Sequence, residues 1–209
     1  MSAVPELPQA ASRRARPLPP EQRRAALIAA TLPLLREHGL QVSTRQVAEA
    51  AGVAEGTIFR VFPDMESLFA AAIQAALDCT PVVAQLERID RGLPLDAILA
   101  GVIDITRGWL RSVITLMMAL HRSPGFRERH PHKPAASSDD IEKLVIELLE
   151  AHRNELRLPP RQMARLLRML VFSSSHPLLA AEGEAMPTHL IVDVVLNGAR
   201  RRSEGEPCC

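Results

Sequence analysis

Apolar residues recur at helical spacing along most of the chain, and no segment alternates apolar and polar positions as a half-buried strand would. A first helix is predicted to begin at Pro20, because proline suits the first turn of a helix, and to end at Gly39. The apolar stripe of this helix is predicted to comprise Ala26, Ile28, Ala29, Leu32, Leu35 and Leu40. The pattern as a whole predicts an all-α fold.

Two short helical patterns follow, and a single glycine joins them. Ser43 is a natural N-cap for the first, and Gln46 completes a capping box with it. Gly52 permits a sharp corner, and the second pattern, residues 53–62, has little apolar bulk. A glycine corner before a helix with a polar outer face indicates a helix-turn-helix motif. A helical hairpin inside an ordinary bundle has the same spacing and remains the alternative.

Helical patterns also fill the rest of the chain. Asp64 is predicted to cap a fourth helix, and Ser138 or Asp139 to cap a later one. The long pattern over residues 95–122 predicts one helix, or two that bend near Gly108. The predicted helices after the corner cover residues 65–79, 95–122, 141–156, 161–181 and 188–202.

Composition and charge narrow the class of protein. The chain has 209 residues and a net charge of +1, so any signal for nucleic acid must be local. Its three cysteines, Cys79, Cys208 and Cys209, are too few for a disulfide framework and favour a reducing cytoplasm. No apolar run approaches the roughly 20 residues of a membrane span. We therefore expect a cytoplasmic protein without a membrane partner.

Both ends of the chain are predicted to lie outside the packed domains. Residues 1–18 are rich in proline and arginine and should form a disordered basic arm. Residues 204–209 end in Cys208-Cys209, which resembles a prenylation site. Glu204 and Glu206 stand where a polybasic flank would be, so a solvated tail is the preferred interpretation.

The segment from Ser43 to Leu68 resembles the DNA-binding signature of the tetracycline-repressor (TetR) family of bacterial regulators, and the resemblance extends into the preceding helix. The shared features are Thr44-Arg45, Val47-Ala48, Ala51-Gly52-Val53, Gly56-Thr57-Ile58-Phe59, Phe62-Pro63, Glu66 and Leu68.

The resemblance implies an all-helical, homodimeric repressor that binds a palindromic operator and is released by a small molecule. Each subunit would have an N-terminal three-helix DNA-binding domain, residues 19–66, and a larger C-terminal domain, residues 67–203, that binds the inducer and dimerises. It implies neither catalysis nor a cofactor. The alternative is a helical small-molecule-binding protein or an enzyme without DNA binding.

Carried over position by position, the resemblance implies a set of DNA contacts. Thr44 and Arg45 should meet the DNA backbone or a groove edge. Arg60 is the best candidate for a base contact because guanidinium can pair bidentately with guanine, and a phosphate contact is the equal alternative. The complete set is Ser43, Thr44, Arg45, Ala54, Glu55, Gly56, Thr57, Phe59 and Arg60.

Several positions depart from the family pattern. Met65 stands where the family usually has a lysine that anchors phosphate, and Glu55 places a negative charge near the groove. A basic arm could compensate by entering the minor groove, or could merely solubilise the chain. The arginines of this arm are Arg13, Arg14, Arg16, Arg23 and Arg24.

The family resemblance also requires a ligand pocket in the C-terminal helices. Apolar bulk with an occasional polar atom suits such a pocket, although core packing explains each residue singly. The candidates are Trp109, Met117, Met118, His121, Phe172 and His176. His130 and His132 lack the neighbouring ligands of a zinc site, and "SSSH" lacks the glycine elbow of a serine hydrolase. No catalytic or metal site is predicted.

The last two predicted helices, residues 161–181 and 188–202, should form the dimer interface because their apolar stripes are broader than one subunit needs. Val195 is expected to face the partner subunit, or Val194 if the helix has the other phase.

Overall fold

Residues 19–123, 138–176 and 186–198 are described by the structure, a computed structural model, and every regular element in them is helical. The all-α prediction is confirmed. The helices are α1 Pro20–His38, α2 Thr44–Ala51, α3 Glu55–Val61, α4 Met65–Leu77, α5 Thr80–Glu87, α6 Leu95–His121, α7 Ser138–Glu150, α8 Pro160–Ser175 and α9 Thr188–Asn197, with 3-10 turns at Gly39–Gln41 and Arg153–Glu155. The predicted arm of residues 1–18, the predicted tail of residues 204–209, and His130 and His132 lie outside the described residues.

Local sequence signals determine where the first helices begin and end. The capping box predicted at Ser43 is present, with the Ser43 hydroxyl accepting from the Gln46 backbone and the Gln46 side chain accepting from the Ser43 backbone. Gly52 ends α2 in the left-handed conformation, φ 65° and ψ 34°, which glycine adopts without a steric penalty. Asp64 caps α4 by accepting from the Ser67 backbone N–H at 2.7 Å.

The first hydrophobic core joins α1 to α4 with the C-terminal part of α6. Leu27, Thr31 and Leu35 form the buried face of α1, and the Thr31 hydroxyl is satisfied by the Leu27 carbonyl at 2.7 Å. The predicted stripe was partly wrong, because Ala26 and Ala29 are exposed. The centre of the buried face is a polar residue, Thr31, so the apolar residues alone do not identify this face correctly.

The second core joins α5 to α9, and α6 is the one helix that contributes fully buried residues to both cores in the described part of the chain. Ile98 and Ile103 of α6 lie in the second core, and Leu116 and Leu120 lie in the first. The predicted alternative of a bend near Gly108 is not what the structure shows, since α6 is continuous over 27 residues. One helix therefore connects the helix-turn-helix to the C-terminal bundle.

The apolar stretch Met65–Glu87 is longer than the sequence analysis recognised, and in the described residues it has the length and mean hydropathy of a membrane span. It consists of two helices, α4 and α5, which meet at Asp78 and Cys79. Asp78 accepts from the Thr80 hydroxyl at 2.7 Å and from its backbone N–H at 3.0 Å. Both helices bury apolar residues in the cores, among them Leu68, Phe69, Val82 and Leu86. The single predicted helix over residues 65–79 was therefore wrong at its end, and α5 was missed.

Candidate nucleic-acid interface

The two short helices α2 and α3 are held at the Gly52 corner by backbone hydrogen bonds. The Gly52 N–H donates to the Ala48 and Glu49 carbonyls, and the Val53 N–H donates to the Ala48 carbonyl at 2.9 Å. Val47 and Ala48 of α2 and Ile58 of α3 are buried in the first core. The inner faces of both helices are thus occupied, and their outer faces are open to solvent.

The residues predicted to contact DNA all lie on this open surface. Thr44 and Thr57 are half-buried. The Phe59 side chain is 51% exposed, which is unusual for an aromatic residue. The exposed members of the set are Ser43, Arg45, Ala54, Glu55, Gly56, Phe59 and Arg60. The fold therefore leaves every member of the set exposed or half-buried on the helix-turn-helix.

Three members of the set, Ser43, Thr44 and Glu55, have partners within the protein, and of these contacts the sequence indicated only the one between Ser43 and Gln46. The Thr44 hydroxyl donates to Oε2 of Glu55 at 2.8 Å, which joins the first turn of α2 to the first turn of α3. The Ser43 hydroxyl is engaged in the capping box, where it donates to Oε1 of Gln46 at 2.8 Å. Ser43 is thus committed to shaping α2, and Glu55 holds Thr44 in position.

Arg23 and Arg24 do not extend from the fold as a free arm, because both lie within α1. The Arg24 guanidinium stacks over the Phe62 ring, 4.3 Å from its centroid. Phe62 is only 1% exposed, so Arg24 covers the edge of the first core at the end of α3. Arg13, Arg14 and Arg16 lie outside the described residues.

The profile of bacterial regulatory proteins of the tetR family matches residues 27–72, which span most of α1, the helix-turn-helix and part of α4. The chain is a TetR-family transcriptional regulator. TetR-family regulators are DNA-binding, non-enzymatic proteins, which agrees with the predicted regulator and not with the alternative of an enzyme without DNA binding. A sequence comparison with curated proteins finds no significant match.

Solved TetR-family structures share the overall fold. A TetR regulator from Streptomyces coelicolor, SCO0520, is 23% identical, with 86% of this chain and 99% of that chain covered and a TM-score of 0.55. A TetR-like regulator from Rhodococcus sp. RHA1 is 19% identical over 86% of this chain and 96% of that chain, with a TM-score of 0.54. The regulator FadR from Bacillus subtilis, solved in complex with stearoyl-CoA, is 14% identical over 84% of this chain and 99% of that chain, with a TM-score of 0.58. At these identities the likeness shows the fold alone.

The C-terminal bundle of this TetR-family chain has a cavity of about 230 Å³, open to solvent on one side, between α6, α7 and α8. Its wall is mainly apolar and includes Val102, Leu110, Val145, Leu167 and Val171. Trp109 and Phe172, two of the predicted pocket residues, also line it. The sequence analysis missed Val102 and Thr106, although both share a helical face with Trp109 and Leu110 at the spacing that such a face requires.

The other predicted pocket residues lie away from this cavity. Met117 packs against the first core, and its carbonyl lies 2.7 Å from Nδ1 of the exposed His121. Met118 is half-buried further along α6 than the cavity. His176 follows the last turn of α8, with its ring 6.0 Å from that of Phe172. The reason is the length of α6, which carries Met117, Met118 and His121 about two to three turns beyond Trp109 and towards the DNA-binding domain.

The end of α6 is attached directly to the segment that precedes α2. The Ser123 hydroxyl accepts a hydrogen bond from the Leu40 backbone N–H at 2.9 Å. Gly39 has φ 59°, and a side chain there would collide with the Ser123 hydroxyl. Glycine is required at this contact by both its backbone conformation and its lack of a Cβ atom. The contact links the cavity-bearing helix to the helix-turn-helix.

Proposed function

We propose that this regulator is a cytoplasmic, homodimeric repressor that binds a palindromic operator and is released when a small molecule enters the C-terminal cavity. In this proposal residues 19–66 contact DNA, and residues 67–203 bind the ligand and dimerise. The observation that carries it is the continuity of α6, whose middle residues line the cavity and whose C-terminal residues pack in the DNA-binding core. A change in the position of α6 at the cavity therefore reaches the segment before α2.

The outer face of α3 supports operator reading in the major groove. Gly56 and Ala54 leave room for close approach of the backbone, and Thr57 and Arg60 offer hydrogen-bonding groups. The exposed Phe59 ring suits apolar contact with a thymine methyl group. Arg45, at the start of α2, suits a phosphate beside the groove.

Exposed apolar side chains on α8 and α9 support the dimer. Met169 and Phe172 lie three residues apart on α8, and Leu190 and Val194 lie four residues apart on α9, so each pair shares one helical face. Their exposures are 61%, 48%, 41% and 36%. Both helices pack against α6 on their inner faces, where Leu167 and Ile191 are buried. The outward faces would be covered by a second copy across a two-fold axis.

The test begins with DNA that flanks the coding region, searched for inverted repeats whose half-sites are about 34–36 Å apart or slightly more. Fluorescence anisotropy then measures binding to the best repeat, to one half-site and to a shuffled duplex. Specific binding to the full repeat with two subunits per site is the expected result. A reporter gene placed behind the repeat distinguishes repression from activation. Equal affinity for the repeat and the shuffled duplex would contradict the proposal.

A further inference from the structure

Two exposed side chains mark the open side of the cavity. Arg168 and Phe172, four residues apart on α8, are exposed, whereas every other residue that lines the cavity is half-buried or buried. The side chain of Arg168 is 58% exposed, compared with 29% for that of Glu142 on α7. The wall behind them is mainly apolar. A ligand can therefore place an apolar part inside the cavity and a polar part at the mouth, beside Arg168.

Arg168 belongs to a stripe of three arginines on α8. Arg161, Arg165 and Arg168 are spaced by four and three residues, which places them on one face of the helix. The same face continues to Phe172, four residues after Arg168. Arg161 and Arg165 are exposed, and neither forms an ion pair in the part of the chain that the structure describes. This basic stripe leads from the start of α8 to the mouth of the cavity.

The guanidinium of Arg168 is only loosely paired. Its Nε lies 3.9 Å from Oε2 of Glu142, which is beyond hydrogen-bond distance, and it forms no hydrogen bond with any described residue. A guanidinium has five N–H donors in a planar fork that fits a carboxylate or a phosphate. Arg168 can thus receive an anionic group without giving up an existing hydrogen bond.

The acidic residues near the mouth come from the first turns of α7. Glu142 lines the cavity, Asp139 lies one turn earlier, and Asp140 is paired with Lys143 at 3.4 Å. The N-terminus of a helix carries about half an elementary positive charge, which offsets part of the charge of acids in its first turn. Three arginines on α8 therefore outweigh the acids on α7, and the mouth favours an anion.

We infer that the cavity binds an amphipathic anion, whose apolar part enters the cavity while its carboxylate or phosphate lies at the mouth against Arg168. This inference rests on the proposed function for the role of the cavity as the ligand site, and it adds the chemical class of the ligand. Arg168 contacts the anionic group, and Arg165 and Arg161 supply further positive charge for a head group that extends along α8.

The test uses four compounds with the same apolar chain: octanoate, octyl phosphate, octanol and octyltrimethylammonium. Calorimetry at low salt, below the concentrations at which they form micelles, gives the affinity of each for the full chain. The fluorescence of Trp109, which lines the cavity and is the only tryptophan of the chain, reports whether the cavity is the site.

Apolar burial alone would favour octanol, because an anion loses more hydration on binding than an alcohol does. We nevertheless expect octanoate and octyl phosphate to bind more tightly than octanol, and octyltrimethylammonium to bind most weakly. The order of the two anions assigns the head group to a carboxylate or to a phosphate. Octanol binding as tightly as both anions, the cation binding most tightly, or no binding of either anion would overturn the inference.

Substitutions at the mouth test the role of Arg168 itself. Arg168→Gln should lower the affinity ratio of octanoate to octanol roughly two- to fivefold, the range for an exposed ion pair, without changing the affinity for octanol. Glu142→Gln should raise the ratio, because a competing carboxylate is lost. Arg88→Gln is the matched control, since Arg88 is exposed at the end of α5 and does not line the cavity. Equal ratios in the wild type and Arg168→Gln overturn the inference, and the octyl series on the wild type decides alone if that variant does not fold.

These measurements use the protein without DNA, so they separate this inference from the proposed function. A preference for the anions without release of operator by them supports the ligand class and shows that filling the cavity alone does not cause release. Release of operator by octanol or by the cation, with no preference for the anions, supports a ligand-released repressor and overturns the role of Arg168.

Discussion

The Thr44 hydroxyl donates a hydrogen bond of 2.8 Å to Oε2 of Glu55 across the corner of the helix-turn-helix. Both residues lie on the surface proposed to face DNA, so one carboxylate has two effects there. It fixes the orientation of Thr44, and it brings a negative charge close to the phosphates.

Two substitutions of Glu55 separate these effects. Glu55→Gln keeps an acceptor for Thr44 and removes the charge, whereas Glu55→Ala removes both. Both variants should bind random DNA more tightly at low salt, since a repulsive charge is lost. Only Glu55→Ala should lower the ratio of operator to random-DNA affinity, because Thr44 is then free to turn. Anisotropy titrations on both duplexes measure this, and identical ratios for the two variants would show that the hydrogen bond does not position Thr44.

Arg60, exposed near the end of α3, is expected to read a base. Arg60→Ala should weaken operator binding by roughly 1–3 kcal/mol and relax specificity at one position in each half-site. Arg45→Ala is the matched control, because loss of a phosphate contact weakens all sequences alike and reduces the salt slope by about one. A panel of single-base operator variants measures both. Uniform weakening by Arg60→Ala would instead assign that residue to a phosphate.

Sequence patterns predicted the N-terminal elements well because their ends depend on local chemistry. The Ser43–Gln46 capping box, the left-handed Gly52 and the Asp64 cap each act within a few residues of the chain, so the pattern and the structure agree. The Thr44–Glu55 hydrogen bond could not be predicted in this way. It depends on the angle between α2 and α3, which tertiary packing determines.

The candidate cavity was predictable only in part for the same reason. Trp109 and Phe172 are recognisable in the sequence because aromatic residues are rare in this chain. The wall between them, however, is formed by three helices, and no single segment of sequence shows how these helices are rotated relative to one another. Met117 and His121 have the same chemical character and lie elsewhere because α6 continues beyond the cavity. The end of α4 was missed because apolar residues continue on both sides of Asp78, whose carboxylate accepts hydrogen bonds from Thr80 at the start of α5.

The contact between Ser123 and Leu40 is expected to hold α6 against the helix-turn-helix. Ser123→Ala removes the acceptor of the half-buried Leu40 N–H and should lower the free energy of unfolding by about 1 kcal/mol. It should also weaken operator binding, since the segment before α2 loses its attachment. Thr115→Ala is the control, because that hydroxyl bonds only within α6, to the Arg111 carbonyl. Urea unfolding and anisotropy measure the two effects; unchanged operator affinity in Ser123→Ala would show that this contact is not needed.

The Asp64 cap should make part of the stability depend on pH. The Ser67 backbone N–H, and then the Ser67 side chain, hold the pKa of Asp64 below its ordinary value of 3.8. A lowered folded-state pKa means that this stabilisation is present above the ordinary pKa and is lost as pH falls through the folded value. The Tm difference between wild type and Asp64→Ala should therefore be constant above about pH 5 and shrink below about pH 3. Asp64→Asn, which caps without charge, should show no such decline relative to Asp64→Ala.

The dimer interface is expected to include Val194 and not Val195. Val194 is 36% exposed on α9, whereas Val195 packs against the second core of its own subunit. Val194→Glu should therefore give folded monomers, because a two-fold interface places the new charge on both sides of the axis. Operator binding should be lost with it, since one recognition helix makes too few contacts. Val195→Glu should instead lower the thermal stability of the subunit itself, because it buries a charge. Sedimentation velocity and circular dichroism on both variants distinguish these results, and a Val194→Glu protein that remains dimeric would place the interface elsewhere.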